Sequence, residues 1–293
     1  MPSPATKASA PPQLRPMQAS DMESCQRLTQ ALKWPHRLED WQFVQALGDG
    51  FVIEQHDAEA GTGVAGSGLV WHYGTTHAAL GLVIVANSLQ GMGLGRQLMQ
   101  QLLVAAGPRS VLLNATVAGQ PLYEKLGFVT TGKLHQHQGT LLQTAPVALA
   151  ADLNMRPLRS DDLPQLLALD LRASGMDRSA AINALNEVSE GIVIESADGI
   201  IGFALTREFG RGRAIGPIVA TSTEHAKAMI SHWINTYSAS FIRIDVPERS
   251  GLSPWLSEIG LTRVDTVVSM CRGELPRTDP QFQLYSLINQ ALG

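Results

Sequence analysis

The sequence predicts an α/β fold, with a mixed sheet flanked by helices, built twice in tandem. Two observations predict it. Strand-like and helix-like segments alternate along the chain, which argues for a sheet covered by helices. The order of those segments then recurs. Leu14-Arg15-Pro16-Met17 with Asp21 returns as Met155-Arg156-Pro157-Leu158 with Asp162. Gly50-Phe51-Val52-Ile53-Glu54 returns as Gly191-Ile192-Val193-Ile194-Glu195. Gly81-Leu82-Val83-Ile84-Val85 returns as Gly216-Pro217-Ile218-Val219-Ala220, Leu113-Asn114 as Ile244-Asp245, and Leu126-Gly127-Phe128 as Ile259-Gly260-Leu261. Five matches in one order, with a slowly drifting offset, imply two copies of one fold. The expected boundaries are a disordered tail over 1–12, a first domain over 13–143, a linker over 144–154 and a second domain over 155–293.

Each half reads the same way. A strand carrying Arg-Pro leads to a helix for which Asp21, or Asp161 and Asp162, supply N-caps. A hairpin of two or three strands follows, with glycine-rich turns around Asp57 to Gly68 and Ala197 to Gly202. Then comes a strand feeding a helix, and after it a strand–helix–strand unit.

The strand-to-helix junction of the first half holds the chemistry. Val83-Ile84-Val85 is an apolar run with strand character. It feeds Gln90-Gly91-Met92-Gly93-Leu94-Gly95-Arg96, and Leu94, Leu98 and Leu102 then recur at helical spacing. The first N–H groups of a helix lack intrahelical partners, and the helix dipole favours negative charge there. Glycines let a phosphate approach the backbone because no Cβ stands in the way. The dinucleotide fingerprint G-x-G-x-x-G fails, since its third glycine would be Arg96 or Leu98. The P-loop fails because no Gly-Lys-Ser/Thr follows. Gln90-x-x-Gly93-x-Gly95 remains. Downstream, Val111-Leu112-Leu113-Asn114-Ala115 reads as a buried strand, and Leu122-Tyr123-Glu124-Lys125-Leu126-Gly127-Phe128 as a short helix ending in Gly-Phe.

In this order, these motifs resemble the GNAT superfamily of N-acetyltransferases. The resemblance implies acetyl-CoA as co-substrate. It places the pyrophosphate on Gln90, Gly91, Met92, Gly93, Leu94, Gly95 and Arg96, and the thioester carbonyl against backbone groups of Val83, Ile84 and Val85. It makes Tyr123 the general acid at the CoA sulfur, the alternative being a ring that only packs at a helix edge. Asn114 either bonds the pantetheine arm or simply ends its strand with a backbone hydrogen bond. The second half is similar to the second domain of bacterial tandem acetyltransferases. Aligned from Gly81 and Gly216, it puts His225, Ala228 and Ile230 where the loop has Gln90, Gly93 and Gly95, and Leu256 where Tyr123 stands. The expectation is a degenerate domain without a working CoA site.

A general base is not legible. Glu54, His72, Tyr73 and His77 are the candidates, with a water relay as the alternative. His135 and His137 find no third metal ligand and read as solvated residues. Residues 31–41, with Trp34, Pro35 and Trp41, either wall an acceptor pocket or pack a helix on the core through Trp41, Val44 and Leu47. Arg207, Arg211 and Arg213 read as a solvated hairpin turn, the alternative being a cluster that meets an anionic group of the substrate if the two domains face each other.

Composition narrows the class. The chain has 293 residues, 44% of them hydrophobic and 16% charged, enough for two ordinary domains. A formal net charge of −4 argues against a nucleic-acid partner. Cys25 and Cys271 form neither a disulfide framework nor a metal spacing, which suits a reduced compartment. No apolar run approaches the ~20 residues of a membrane span. The expectation is therefore a cytoplasmic, metal-free N-acetyltransferase acting directly on the primary amine of a small molecule. The alternatives are a non-catalytic acyl-CoA-responsive protein and a protein-lysine acetyltransferase. The sequence leaves the oligomeric state open.

Overall fold

The computed structural model describes residues 11–57 and 61–293. The tail expected over 1–12 thus lies outside the described residues except for Pro11 and Pro12, and so does the tip of the turn after Asp57. The chain divides into two compact units. One comprises residues up to Trp71 with Leu80–Gly107, and the other His72–Ala79 with Pro108–Gly293.

The first unit holds β1 (Gln13–Pro16), α1 (Met22–Ala31), α2 (Leu38–Ala46), β2 (Asp49–Asp57), all but the end of β3 (Gly61–Tyr73), all but the start of β4 (His77–Val85), and α3 (Leu94–Ala106). Strands β1 to β4 lie side by side in chain order. The apolar stripe of α3 is as expected: Leu98 and Leu102 are fully buried. They press on β3 at Gly68, where an added Cβ would stand 2.7 Å from Leu102 Cδ1. Trp41 and Val44 of α2 are buried, and Trp41 Nε1 donates to Thr29 Oγ1 at 3.2 Å. Of the two readings for this region, core packing is the one these two side chains follow.

Asp21 departs from its expected role. Its carboxylate makes no cap bond to α1. It accepts instead from the Gln18 amide at 2.8 Å and from both Arg15 Nη atoms at 2.8 and 2.9 Å, while Arg15 Nε donates to Glu54 at 2.8 Å. A guanidinium fork facing two carboxylates outcompetes one helix N–H. The second half builds the same cluster. Arg156 bonds Asp162 at 2.7 and 3.0 Å and Glu195 at 2.6 Å, and the Arg159 amide donates to Asp162 at 2.8 Å.

The second unit contains β5 (Ser110–Ala115), α4 (Gln120–Lys125), β6 (Val129–Thr140), β7 (Asn154–Pro157), α5 (Leu163–Ser174), α6 (Ser179–Val188), β8 (Glu190–Ser196), β9 (Gly199–Phe209), β10 (Gly212–Ala220), α7 (Thr223–Thr236), β11 (Phe241–Pro247), α8 (Leu252–Glu258), β12 (Thr262–Arg272) and β13 (Gln283–Ser286). Its strand order is β5-β12-β6-β11-β10-β9-β8-β7, with β13 added to β10. All pairs are antiparallel except β10 with β11, so the sheet is mixed and mostly antiparallel. The two halves interleave here. Strand β12 of the second half lies between β5 and β6 of the first, and β6 lies between β12 and β11. The two halves thus exchange β12 and β6 in the strand order. Helices α7 and α8 close a core of Ile215, Met229, Trp233, Ile244 and Leu256. The segment expected as linker is pinned: the Thr144 amide donates to Asn235 Oδ1 at 2.9 Å, and Asn235 Nδ2 returns a bond to the Thr144 carbonyl at 3.0 Å.

Candidate active site

In the first unit, the glycine loop lies at the junction of β4 with α3. In β4, Leu82 and Ile84 are buried, while Val83 and Val85 stay half-covered. One face is packed and the other is available. Leu82 adopts φ +52°, a conformation that costs a non-glycine residue roughly 1–2 kcal/mol. Ser67 Oγ donates to the Leu82 carbonyl at 2.9 Å and helps hold it. A left-handed residue within a strand turns its backbone groups away from the regular strand direction.

After a short 3-10 turn at Asn87–Leu89, the loop opens to solvent. Gln90, Gly91, Met92, Gly93 and Arg96 are exposed, whereas Leu94 is buried and Gly95 half-buried. Gly91 and Gly93 have φ +79° and +78°, and a Cβ built on either meets no atom within 4 Å. The space beside both is empty, and only glycine adopts this backbone without strain. Gly93 caps α3 from the left-handed region, and its carbonyl accepts from the Arg96 and Gln97 amides, each at 3.1 Å. The remaining N–H groups of that first turn have no partner within the helix. Gln90 Nε2 donates to Asn87 Oδ1 at 3.0 Å and to the Val85 carbonyl at 3.3 Å, tying the loop to the strand end. Bare, exposed backbone amides at a helix N-terminus are suited to a pyrophosphate.

Tyr123, in the second unit, lies on α4 and is 8% exposed. Burial alone pushes its phenol up to about 12. Its ring meets Phe128 edge to face, with centroids 6.0 Å apart. Asn114, near the end of β5, is held by two bonds. Its Nδ2 donates to the Gln290 carbonyl at 2.8 Å, and its Oδ1 accepts from Ser269 Oγ at 2.7 Å. Gln290 and Ser269 both come from the second half, and no sequence signal pointed to them.

The candidate bases sort differently. Glu54 is the partner of Arg15, as Glu195 is of Arg156, so its carboxylate is structural. Tyr73 donates its hydroxyl to the Leu292 carbonyl, and burial holds its ionisation far above the ordinary value. His77 is buried, with Nδ1 2.9 Å from Thr76 Oγ1 and Nε2 lacking a hydrogen-bond partner. His72 is half-buried on β3.

Three expectations need correction. His135 and His137 are not solvated. His137 is fully buried, with Nδ1 at 2.8 Å from the Leu261 carbonyl and Nε2 at 2.8 Å from Ser253 Oγ. His135 Nδ1 lies 2.9 Å from Thr266 Oγ1, and burial lowers the pKa of both rings. Of the three arginines, Arg211 is exposed in the turn between β9 and β10 as expected, but Arg207 and Arg213 are not solvated. Arg207 is buried over the Phe209 ring, Arg211 stacks on Phe241, and Arg213 stacks on Tyr237 at 3.7 Å from its centroid while pairing with Glu190 at 2.8 Å. Flat guanidinium faces and aromatic faces attract, and this fixes side chains that charge alone would leave in water.

The third correction concerns the second half's counterpart of the loop. Helix α7 already begins at Thr223, so Ala228 and Ile230 lie inside it as buried core residues and do not match Gly93 and Gly95. The glycine loop is missing rather than mutated. Ser222 caps α7 directly, accepting from the His225 amide at 3.2 Å. Strand β10 keeps a register break between Ile215 and Ile218, near the match to Leu82. Here β13 pairs with β10, Ser286 Oγ donates to the Ile215 carbonyl at 2.9 Å, and the Leu287 amide donates to the Asp245 carbonyl of β11 at 3.0 Å. Ala214 to Ala220 are buried throughout.

Among the described residues no cluster of three or more His, Cys, Asp or Glu side chains is placed to hold a metal. Among them, too, no helix is long and apolar enough to cross a membrane.

Comparison with known proteins agrees with the duplicated plan. One acetyltransferase (GNAT) domain family matches residues 54–144 and another matches residues 166–286. The uncharacterized N-acetyltransferase YitH of Bacillus subtilis (strain 168) is 33% identical over 220 residues, covering 73% of this chain and 76% of its own. The holothin acyltransferase of Pseudoalteromonas sp. (strain SANK 73390) is 24% identical over 267 residues, covering 83% of this chain and 88% of its own. Among solved structures, a protein described as an acetyltransferase from Pyrococcus horikoshii shares the fold at TM-score 0.74 and 19% identity, with 96% of both chains covered. A tandem GNAT protein from the clavulanic acid biosynthesis pathway does so at TM-score 0.61 and 12% identity, covering 90% of this chain and 99% of its own. The chain belongs to the GNAT acetyltransferases, as a tandem GNAT N-acetyltransferase.

Proposed function

We propose that the protein transfers an acetyl group from acetyl-CoA directly to the primary amine of a small molecule, and that acetyl-CoA binds once per chain. The observation that carries this reading is the open cradle at Gly91 and Gly93. A diphosphate fits it: two positive-φ glycines leave the backbone bare, and the exposed Arg96 adds positive charge.

When bound, acetyl-CoA supplies an activated acetyl thioester. The residues supply position and polarity. Val83, Ile84 and Val85 present backbone groups to the thioester carbonyl, where charge develops during attack. Asn114 is expected to bond the pantetheine arm. The amine arrives in water as an ammonium and loses one proton before attacking. Its nitrogen bonds the acetyl carbon as the carbon–sulfur bond breaks. The nitrogen then sheds a second proton, and the sulfur leaves with one. Tyr123 donates toward that sulfur. A phenol raised to about 12 stays protonated at every working pH, so it serves as donor and never as base. Handing its proton over completely is uphill against a thiol of pKa about 8.5, so its main effect is a hydrogen bond to the departing thiolate.

The second half enters this reading without a CoA site of its own. Its glycine loop is missing, and its strand β10 is paired with β13. The test is thiol release from acetyl-CoA across a panel of small amines, with product masses checked. Acetylated amine from a purified chain supports the reading. Tight acetyl-CoA binding with no transfer to any amine, or transfer to protein lysines alone, contradicts it.

A further inference from the structure

In the second unit, His137 and Ser253 form a hydrogen-bonded pair whose proton positions follow from their partners. His137 comes from β6, which is paired on both sides, with Ile244 of β11 and with Arg263 of β12. Its ring is fully buried. Nδ1 lies 2.8 Å from the Leu261 carbonyl, and a carbonyl only accepts, so Nδ1 carries the ring hydrogen. Burial is the largest influence on the ring and disfavours a second proton. Arg263 acts in the same direction, while the Leu261 bond and Asp245 oppose it. Nε2 is therefore bare, and it accepts from the Ser253 hydroxyl at 2.8 Å.

Ser253 is the second residue of α8 and is half-buried. Leu252 and Leu256 beside it are fully buried and anchor the helix. Just before them the exposed Gly251 turns the chain at φ +69°, and a Cβ built on it meets no atom within 4 Å. The serine thus stands close to open space, with its proton directed at the imidazole.

We propose that Ser253 is a covalent acyl-acceptor site. It takes an acetyl group from an acetyl thioester in solution, with His137 as general base and the Leu261 carbonyl orienting the ring. A serine hydroxyl is a weak nucleophile until a positioned base accepts its proton, and that base must itself be oriented by a third group. Both hydrogen bonds are in place here. Ser253 Oγ bonds the acetyl carbon as the carbon–sulfur bond breaks. The Oγ proton passes to His137 Nε2 and from there to the leaving sulfur. The imidazole ends neutral, and the products are an O-acetyl serine and a free thiol. All three groups belong to the second unit, so the step needs no group of the glycine loop and does not rest on the acetyl-transfer reading. A pair that served packing alone would leave Ser253 no more reactive than any other serine.

The test uses two probes on the full chain. Acetyl-CoA without any amine is expected to leave one acetyl group on Ser253, mapped by peptide mass spectrometry. Hydroxylamine is expected to remove it, since it cleaves a serine ester and spares lysine amides. A fluorophosphonate, whose fluoride is displaced by an activated serine oxygen, reads the same reactivity without a thioester. It is expected to label Ser253, and His137→Gln is expected to slow that labelling about 10²-fold, the low end for a positioned base. Ser253→Ala is expected to abolish both labels at this site. Absence of the acetyl ester at Ser253, or a fluorophosphonate rate that His137→Gln leaves unchanged, overturns the proposal. Should His137→Gln fail to fold, Ser253→Cys in the otherwise intact chain decides. The introduced thiol, paired with the imidazole, is expected to react with iodoacetamide at neutral pH about tenfold faster than free cysteine. The buried Cys25 and Cys271 set the background. A rate no higher than that of free cysteine overturns the proposal.

Discussion

Phe128 donates its amide to the carbonyl of Tyr123 at 3.1 Å while the two rings meet edge to face. The short helix α4 is thus closed by the residue that also packs the candidate acid. The same closure recurs where the Leu261 amide donates to the Leu256 carbonyl at 2.9 Å, but there the ring is replaced by a leucine. The frame of the helix is duplicated and the phenol is not.

Replacing Tyr123 by Phe keeps this packing and removes only the donor. Single-turnover rates at saturating acetyl-CoA are expected to fall about 10²-fold, the low end for a positioned acid, with acetyl-CoA affinity unchanged. Equal rates would assign the ring to packing alone.

The pH profile follows from the same burial. Desolvation disfavours the phenolate, so the protonated donor persists up to about pH 12. The expected kcat/KM therefore rises with pH as the acceptor amine deprotonates, with no descending limb of tyrosine origin below about pH 10. A descending limb in this range that disappears in Tyr123→Phe would contradict the assignment.

Stability against acid is expected to fall in two stages. His135 and His137 titrate below the ordinary histidine value because burial penalises their charged forms. Unfolded histidines bind protons from about pH 6.5 downward while the folded ones do not, so stability present above that pH declines through the range below it. Asp21 and Asp162 are held low by Arg15 and Arg156. Their contribution is present above about pH 3.9 and is lost as pH falls through their lower folded values. Urea melts of His137→Gln are expected to flatten the first stage. Asp162→Asn is expected to cost about 1–3 kcal/mol at neutral pH and to flatten the second. Unaltered stages in both variants would show that these groups titrate alike in folded and unfolded chains.

Much of this architecture was legible in the sequence because it is local. The loop from Gln90 to Arg96 and the stripe of Leu94, Leu98 and Leu102 are set by residues near one another in the chain. The repeat was legible through Arg15 and Arg156, whose carboxylate partners recur with them. The interleaving of β12 between β5 and β6 was not, because an amphipathic antiparallel strand carries no mark of which neighbour it takes. His137 and Arg213 were misread for a related reason. Their burial depends on Leu261, Ser253, Tyr237 and Glu190, all distant in the chain. The second half's missing loop was misplaced by aligning residues straight through a deletion, and the start of α7 at Thr223 corrects it.

The central claim is one acetyl-CoA site per chain, at the glycine cradle. It is tested most directly by calorimetric titration of acetyl-CoA into the wild type and Gly93→Val. A β-branched residue at φ +78° is strained, and its side chain enters the space expected to hold the diphosphate. The account predicts one site per chain in the wild type and no detectable binding in a folded Gly93→Val. Two sites per wild-type chain, or unchanged affinity in Gly93→Val, would contradict it.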